Sequence, residues 1–124
     1  MKVLLVGAGG VGAAIASIAS KNDSKADWLE QMVVSDYNPD RAHEVVSGLN
    51  DARFVSERID AGKKDEIINL AKKYEVDFIM NACDPVFNMP IFKAAFEYGC
   101  TYMDMAMSLS IRDEDDPYGT VALK

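Results

Sequence analysis

Gly7, Gly9 and Gly12 stand in the spacing G-x-G-x-x-G within the run Gly7-Ala8-Gly9-Gly10-Val11-Gly12. Each glycine has a separate task in that pattern. The first lets the chain turn sharply. The second, without a Cβ, lets the backbone approach a pyrophosphate. The third lets a helix lie close to a strand. The N–H groups and positive dipole end of the helix that starts here then face an anion. A glycine-rich turn without a ligand is the plain alternative, since the spacing alone is a weak signal.

Asp36 strengthens the motif. It lies about two dozen residues past Gly12, where a carboxylate accepts hydrogen bonds from the 2′- and 3′-hydroxyls of an adenosine ribose. A carboxylate there also favours NAD over NADP, because a 2′-phosphate would meet a like charge. Arg41 weighs against that preference, because a nearby arginine could shelter the phosphate. The alternative for Asp36 is a cap on the following helix near Asn38. Asp60-Ala61 could flank the adenine, or Asp60 could cap the helix that begins at Lys63. Asn81-Ala82 would lie near the central riboses, or form an ordinary Asx turn before Pro85. Asp104 points the same way, or ties down the next loop.

These residues need a scaffold that brings them to one edge. Val3-Leu4-Leu5-Val6 reads as a buried strand before the glycines, and Gly10 to Ser20 as the helix after them, with Val11, Ile15 and Ile18 as its buried stripe. Lys21 to Lys25 reads as a loop, and Ala26 to Glu30 as a turn whose Trp28 and Leu29 cover the core edge. Gln31 to Ser35 is a second strand. Asn38 caps a helix with Pro39 at its first position and Ala42, Val45, Val46 and Leu49 on one face. His43 beside that stripe reads as a surface residue. Arg53 to Ile59 is a third, less apolar strand, nearer an edge. Lys63 to Tyr74 is a helix, with Ile67, Leu70, Ala71 and Tyr74 on one face. Asp77 to Met80 is a fourth strand, Asn88 to Tyr98 a helix stopped by Gly99, and Thr101 to Met105 a fifth strand. The alternation predicts a Rossmann-type α/β fold: a doubly wound parallel sheet in the order 3-2-1-4-5, with a crevice where the first strand meets the fourth. Residues 1–110 read as one dinucleotide-binding domain. Residues 111–124, with Asp113-Glu114-Asp115-Asp116, read as an acidic linker or tail.

Composition narrows the partners. The 124 residues carry a formal net charge of −7, which disfavours nucleic acid and anionic membranes. No apolar run approaches the roughly 20 residues of a spanning helix, and the first strand begins at the N-terminus, so a cytoplasmic protein is expected. Cys83 and Cys100 lack metal spacing and read as free thiols; with a single histidine, no metal site is expected.

The segments VLLVGAGGVG, VVSDYN, RIDAG, VDFIMNACDP and YGCTYMDMAMS together resemble the N-terminal cofactor domain of the saccharopine dehydrogenase family, nearest to its carboxynorspermidine dehydrogenase-like branch. The likeness runs to about Ser110. The Asn81-Ala82 turn and Tyr102-Met103-Asp104 are its more specific parts. The resemblance implies an NAD(P)-dependent oxidoreductase acting on the C–N bond of amino-acid-derived secondary amines, with the substrate held by a second domain outside these 124 residues. A free-standing NAD-sensing module without catalysis is the alternative. The expected cofactor is NAD, with NADP second. Its expected contacts are Gly7, Gly9, Gly10, Val11 and Gly12 in the loop, and Asp36, Tyr37 and Asn38 after the second strand. Asp60 and Ala61 after the third strand and Asn81 and Ala82 after the fourth complete the set. No catalytic residue is assigned. A homodimer is an open alternative.

Overall fold

The computed structural model describes residues 1–105. The expected boundary at residue 110 and the acidic segment 111–124 lie outside the described residues. Five strands and four helices alternate: β1 (Lys2–Val6), α1 (Gly10–Asn22), β2 (Gln31–Asp36), α2 (Pro39–Leu49), β3 (Phe54–Arg58), α3 (Lys64–Tyr74), β4 (Phe78–Asn81), α4 (Asn88–Tyr98) and β5 (Thr101–Asp104), with a short 3₁₀ turn at Pro85–Phe87. The strands form one parallel sheet in the order β3-β2-β1-β4-β5. The expected order therefore holds, including the less apolar β3 at an edge. Register brings the chemistry to one end. Val6 pairs with Asn81, Asp36 with Arg58, and Asn81 with Asp104.

Two apolar clusters sandwich the sheet. Leu4, Val6, Val33 and Ile79 pack on α3 and α4, while Val3, Leu5, Met32, Val34 and Phe54 pack on α1 and α2. The alternating faces of β1 and β2 are thus both buried, as a central parallel strand requires.

Two readings need correction. Helix α1 runs to Asn22, through the residues expected to start a loop. Its buried face is Gly12, Ala16 and Ala19, whereas Val11 and Ile18 are 50% and 57% exposed. Close approach of a helix backbone to a sheet selects the smallest side chains, so of the expected stripe only Ile15 packs half-buried against the core, while Val11 and Ile18 lie on the flank. The loop after α1 is tied down by Asp23, which is buried and accepts from the N–H groups of Asp27, Trp28 and Leu29. Arg53 spans from Asp23 to Asp51 at 3.1 and 2.7 Å, and the Ser20 hydroxyl donates to Asp51. Leu29 is fully buried, but Trp28 stays largely exposed.

Candidate functional site

The site grows from the end of β1. Gly7 has φ +103°, and a Cβ there would meet the Ala82 carbonyl oxygen at 2.9 Å. A Cβ on Gly12 would sit 1.9 Å from the Gly7 carbonyl oxygen, so the helix closes on the turn only because that side chain is absent. Gly9 differs. Its backbone is extended (φ −69°), and a Cβ there meets nothing within 4 Å. The lack of a side chain at Gly9 leaves open space beside α1's N-terminus.

That N-terminus has no side-chain cap, and its first turn carries no acidic residue. Ala13 donates to the Gly9 carbonyl, the first bond of the helix. The N–H groups of Gly10, Val11 and Gly12 precede it, where an α-helix offers donors without internal partners. By contrast, α2 is capped by Asn38, whose side chain accepts from the Asp40 N–H at 3.0 Å, and carries Asp40 in its first turn. The sequence thus satisfies one helix start internally and leaves the other fit for an anion.

A crevice of about 460 Å³ opens beside the loop. Gly7 and Gly9 line it, with Asp36, Tyr37 and Arg41 from the β2–α2 corner, Ile59, Asp60 and Ala61 after β3, and Ala82, Cys83, Asp84 and Phe87 after β4. It lies at the C-terminal strand ends where β1 adjoins β4, the switch point of the sheet. Of the expected contacts, Gly7, Gly9, Asp36, Tyr37, Asp60, Ala61 and Ala82 share this crevice. Gly10, Val11, Gly12, Asn38 and Asn81 stand behind or beside its wall. Asn38 and Asn81 shape the wall instead: Asn38 caps α2, and the Asn81 side chain accepts from the Cys83 N–H at 2.9 Å, fixing the turn that presents Ala82 and Cys83.

Asp36 is 9% exposed, and both its oxygens are engaged. One accepts the Ala8 N–H at 2.8 Å and the other the Asn38 N–H at 2.9 Å. The carboxylate therefore braces the glycine loop and shapes the start of α2 while it lines the crevice. Each oxygen keeps a further lone pair for a donor. Arg41 stands 4.0 Å from one of them. Arg58 lies over the Tyr37 ring at 4.7 Å and pairs with Glu66 at 3.3 Å, a second cation near this corner that the sequence reading did not find. Strand pairing of Asp36 with Arg58 explains its place, and no local motif announces it.

Asp60 does not cap α3; Lys63 holds that position. Its side chain accepts from the Gly62 N–H at 3.0 Å, forming an Asx turn at the crevice rim. Burial, with the charges of Asp36 and Asp84, pushes the Cys83 thiol up to about 11. Deeper, Asn81 donates to Asn88 at 2.8 Å and to the Tyr102 hydroxyl at 3.2 Å, and that hydroxyl donates to Asp104 at 2.9 Å. Asp104 thus joins a polar chain across β4, β5 and α4, and is not among the residues lining the crevice. Burial first, and then the Asp104 carboxylate, push Tyr102 up to about 12, so it stays a neutral donor. Among the described residues no group of three or more His, Cys, Asp or Glu side chains could hold a metal. No helix among them is long and apolar enough to cross a membrane.

A family model described as the saccharopine dehydrogenase NADP binding domain matches residues 3–120. Carboxynorspermidine synthase of Vibrio alginolyticus is 25% identical over 122 residues, which cover 92% of this chain and 29% of that protein. The Vibrio cholerae protein of the same name is 24% identical, with 90% of this chain and 28% of its own length covered. The chain therefore spans less than a third of these relatives. Among solved structures, saccharopine dehydrogenase (L-Glu forming) from Saccharomyces cerevisiae superposes with a TM-score of 0.68 at 15% identity, over 87% of this chain and 23% of that one. A UDP-glucose-4-epimerase from Stenotrophomonas maltophila with bound NAD superposes at 0.66 and 12% identity, over 84% of this chain and 36% of its own.

Proposed function

The chain belongs to the family of saccharopine dehydrogenase NADP-binding domains, and from that premise we propose that it is the cofactor-holding part of an oxidoreductase for the C–N bond of amino-acid-derived secondary amines. The observation that carries the reading is the uncapped start of α1 beside the open space at Gly9, at the rim of a crevice edged by Asp36. A bound dinucleotide supplies hydride transfer; the protein supplies placement. The N–H groups of Gly10, Val11 and Gly12 would hold the pyrophosphate. Asp36 would accept the ribose hydroxyls, with Tyr37 and Ala61 beside the adenine. Asn81 would fix the Ala82–Cys83 turn against the inner ribose. Residues 1–110 would form this unit, and the amine would be held by polypeptide outside the described residues.

NAD is the proposed preference. The first charge a 2′-phosphate would meet at the end of β2 is the Asp36 carboxylate. Arg41 is mostly exposed, and Arg58 is engaged with Tyr37 and Glu66. Calorimetric titration of the protein with NAD and NADP separately tests the reading. Saturable binding that Gly9→Val weakens is expected. Failure of the folded protein to bind either dinucleotide overturns it.

A further inference from the structure

The polar chain behind the crevice contains an amide that fits its place in two orientations. The nitrogen and oxygen ends of an Asn side chain have nearly the same shape, so the neighbours decide which end points where. Asn81 is 1% exposed, so bulk water takes no part in that decision. Its Oδ1 accepts the Cys83 N–H at 2.9 Å, and its Nδ2 donates to Asn88 at 2.8 Å and to the Tyr102 hydroxyl at 3.2 Å. A turned amide would set its NH2 group against the Cys83 N–H, donor against donor, and release the turn after β4.

Asn88 does not oppose that flip. It is buried, and its Nδ2 has no hydrogen-bond partner among the described residues. Nothing anchors the far end of its amide, so it can present oxygen or nitrogen to Asn81. Tyr102 does oppose the flip. A hydroxyl has one proton and two lone-pair sites. The Tyr102 proton goes to the Asp104 carboxylate at 2.9 Å, which leaves only lone pairs to face Asn81. The NH2 end of Asn81 must therefore stay on the Tyr102 side. Register makes this possible: Asn81 pairs with Asp104, and Tyr102 lies two residues earlier on the same face of β5. An edge-on contact with Phe92 of α4, 5.5 Å between ring centres, steadies the Tyr102 ring.

We propose that Asp104 is a positioning residue for the inner half of the dinucleotide. By taking the Tyr102 proton it fixes the Asn81 amide, and so the Ala82–Cys83 turn on which the inner ribose would rest. This role rests on the proposal that the crevice holds a dinucleotide. Asp104 does not line the crevice, so it acts only through Tyr102 and Asn81.

The test compares Asp104→Leu, Tyr102→Phe and the double variant, with hydrogen exchange of the Cys83 amide followed by two-dimensional NMR in the unliganded protein. In Asp104→Leu the Tyr102 proton is free to turn onto Asn81, and Cys83 should exchange about tenfold faster or more, as for loss of a turn-closing hydrogen bond. Tyr102→Phe leaves no proton to misplace, so its Cys83 should exchange within about threefold of the parent rate. The double variant should return to that same range, although it removes more of the chain. Calorimetry reads the ligand side: Asp104→Leu should weaken NAD about tenfold and leave ADP, which lacks the inner half, within about twofold. Parent-like Cys83 exchange in Asp104→Leu overturns the proposal. A double variant that exchanges as fast as Asp104→Leu also overturns it, since lost packing alone gives that result, and so does equal weakening of NAD and ADP. The expected exchange pattern in a parent protein that binds no dinucleotide overturns the dinucleotide reading and the ribose role with it, while the hold of Asp104 on the turn stands.

Discussion

The Asp36 carboxylate accepts the Ala8 N–H at 2.8 Å, across 28 residues of sequence, and so fastens the glycine loop to the end of β2. The residue proposed to read the ribose is also a brace of the loop that would hold the pyrophosphate. Loss of its charge should therefore disturb both stability and cofactor choice.

For Asp36→Ala, two buried or part-buried backbone donors lose their acceptor, at about 1–3 kcal/mol for each group left unsatisfied. Thermal unfolding should show a lower midpoint, and dinucleotide affinity should fall. Asp36→Ser, which keeps a hydroxyl, should lower the midpoint less and narrow the gap between NAD and NADP. An unchanged midpoint in the Ala variant would refute the bracing role.

Unmodified protein should bind NAD more tightly than NADP. One pair of unit charges at 4 Å is worth about 4 kcal/mol at an effective dielectric near 20. A third of that corresponds to roughly tenfold. Arg41→Ala removes the cation nearest Asp36, so NADP affinity should drop several-fold while NAD affinity changes little. Calorimetry with both ligands decides; equal affinities in the parent protein remove the ribose role of Asp36.

Gly9 and Gly12 of the loop should separate on substitution. Gly9→Val points into open space from an ordinary backbone. It should fold normally yet lose more than about tenfold in affinity, roughly 1.4 kcal/mol. Gly12→Ala places a methyl 1.9 Å from a carbonyl oxygen and should cost about 1–3 kcal/mol of stability through forced backbone shift. Circular dichroism melts read beside titrations distinguish the two.

Cys83 offers a reporter. With its thiol raised to about 11, alkylation at neutral pH should be slow and should accelerate as pH rises toward that value. Saturating dinucleotide should slow it further, because Cys83 lines the crevice. Peptide-level mass spectrometry measures both effects, and rapid alkylation at pH 7 would contradict the burial assigned to it.

Acid should attack the opposite end of the sheet. Hydrogen bonding by Arg53 chiefly holds Asp51 well below its ordinary value. At Asp23 burial opposes ionisation but is outweighed by the N–H groups of Leu29, Asp27 and Trp28 and by Arg53. Both folded-state values are depressed. The stability they confer is therefore present above the ordinary carboxyl range near pH 4 and is lost as pH falls through and below it. Arg53→Met should lower the thermal midpoint by several degrees at pH 7 and shift the acid transition upward, as followed by fluorescence of Trp28.

Legibility in the sequence followed the range of the interaction. The glycine turn, the Asn38–Pro39 helix start and the Gly99 stop are local devices, and each lies where its spacing placed it. Alternation of strand and helix carried the sheet order. The α1 stripe failed because periodicity finds an apolar side of a helix but cannot weigh volume; the sheet took Gly12, Ala16 and Ala19. Asp23, Arg53 and Arg58 were unreadable for another reason. Their partners lie on other elements, so only register and loop closure reveal them. Ile59, Cys83 and Phe87 entered the crevice the same way, through where β3 and β4 end.

A parallel sheet has two unlike ends, and here the Asp23–Arg53–Asp51 brace holds one while the glycine loop occupies the other. The two ends are free to drift separately over evolutionary time. Substitutions that harden the brace against heat or acid need not touch the residues that face a nucleotide, and changes of nucleotide taste at Asp36 or Arg41 can draw on stability held at the far end.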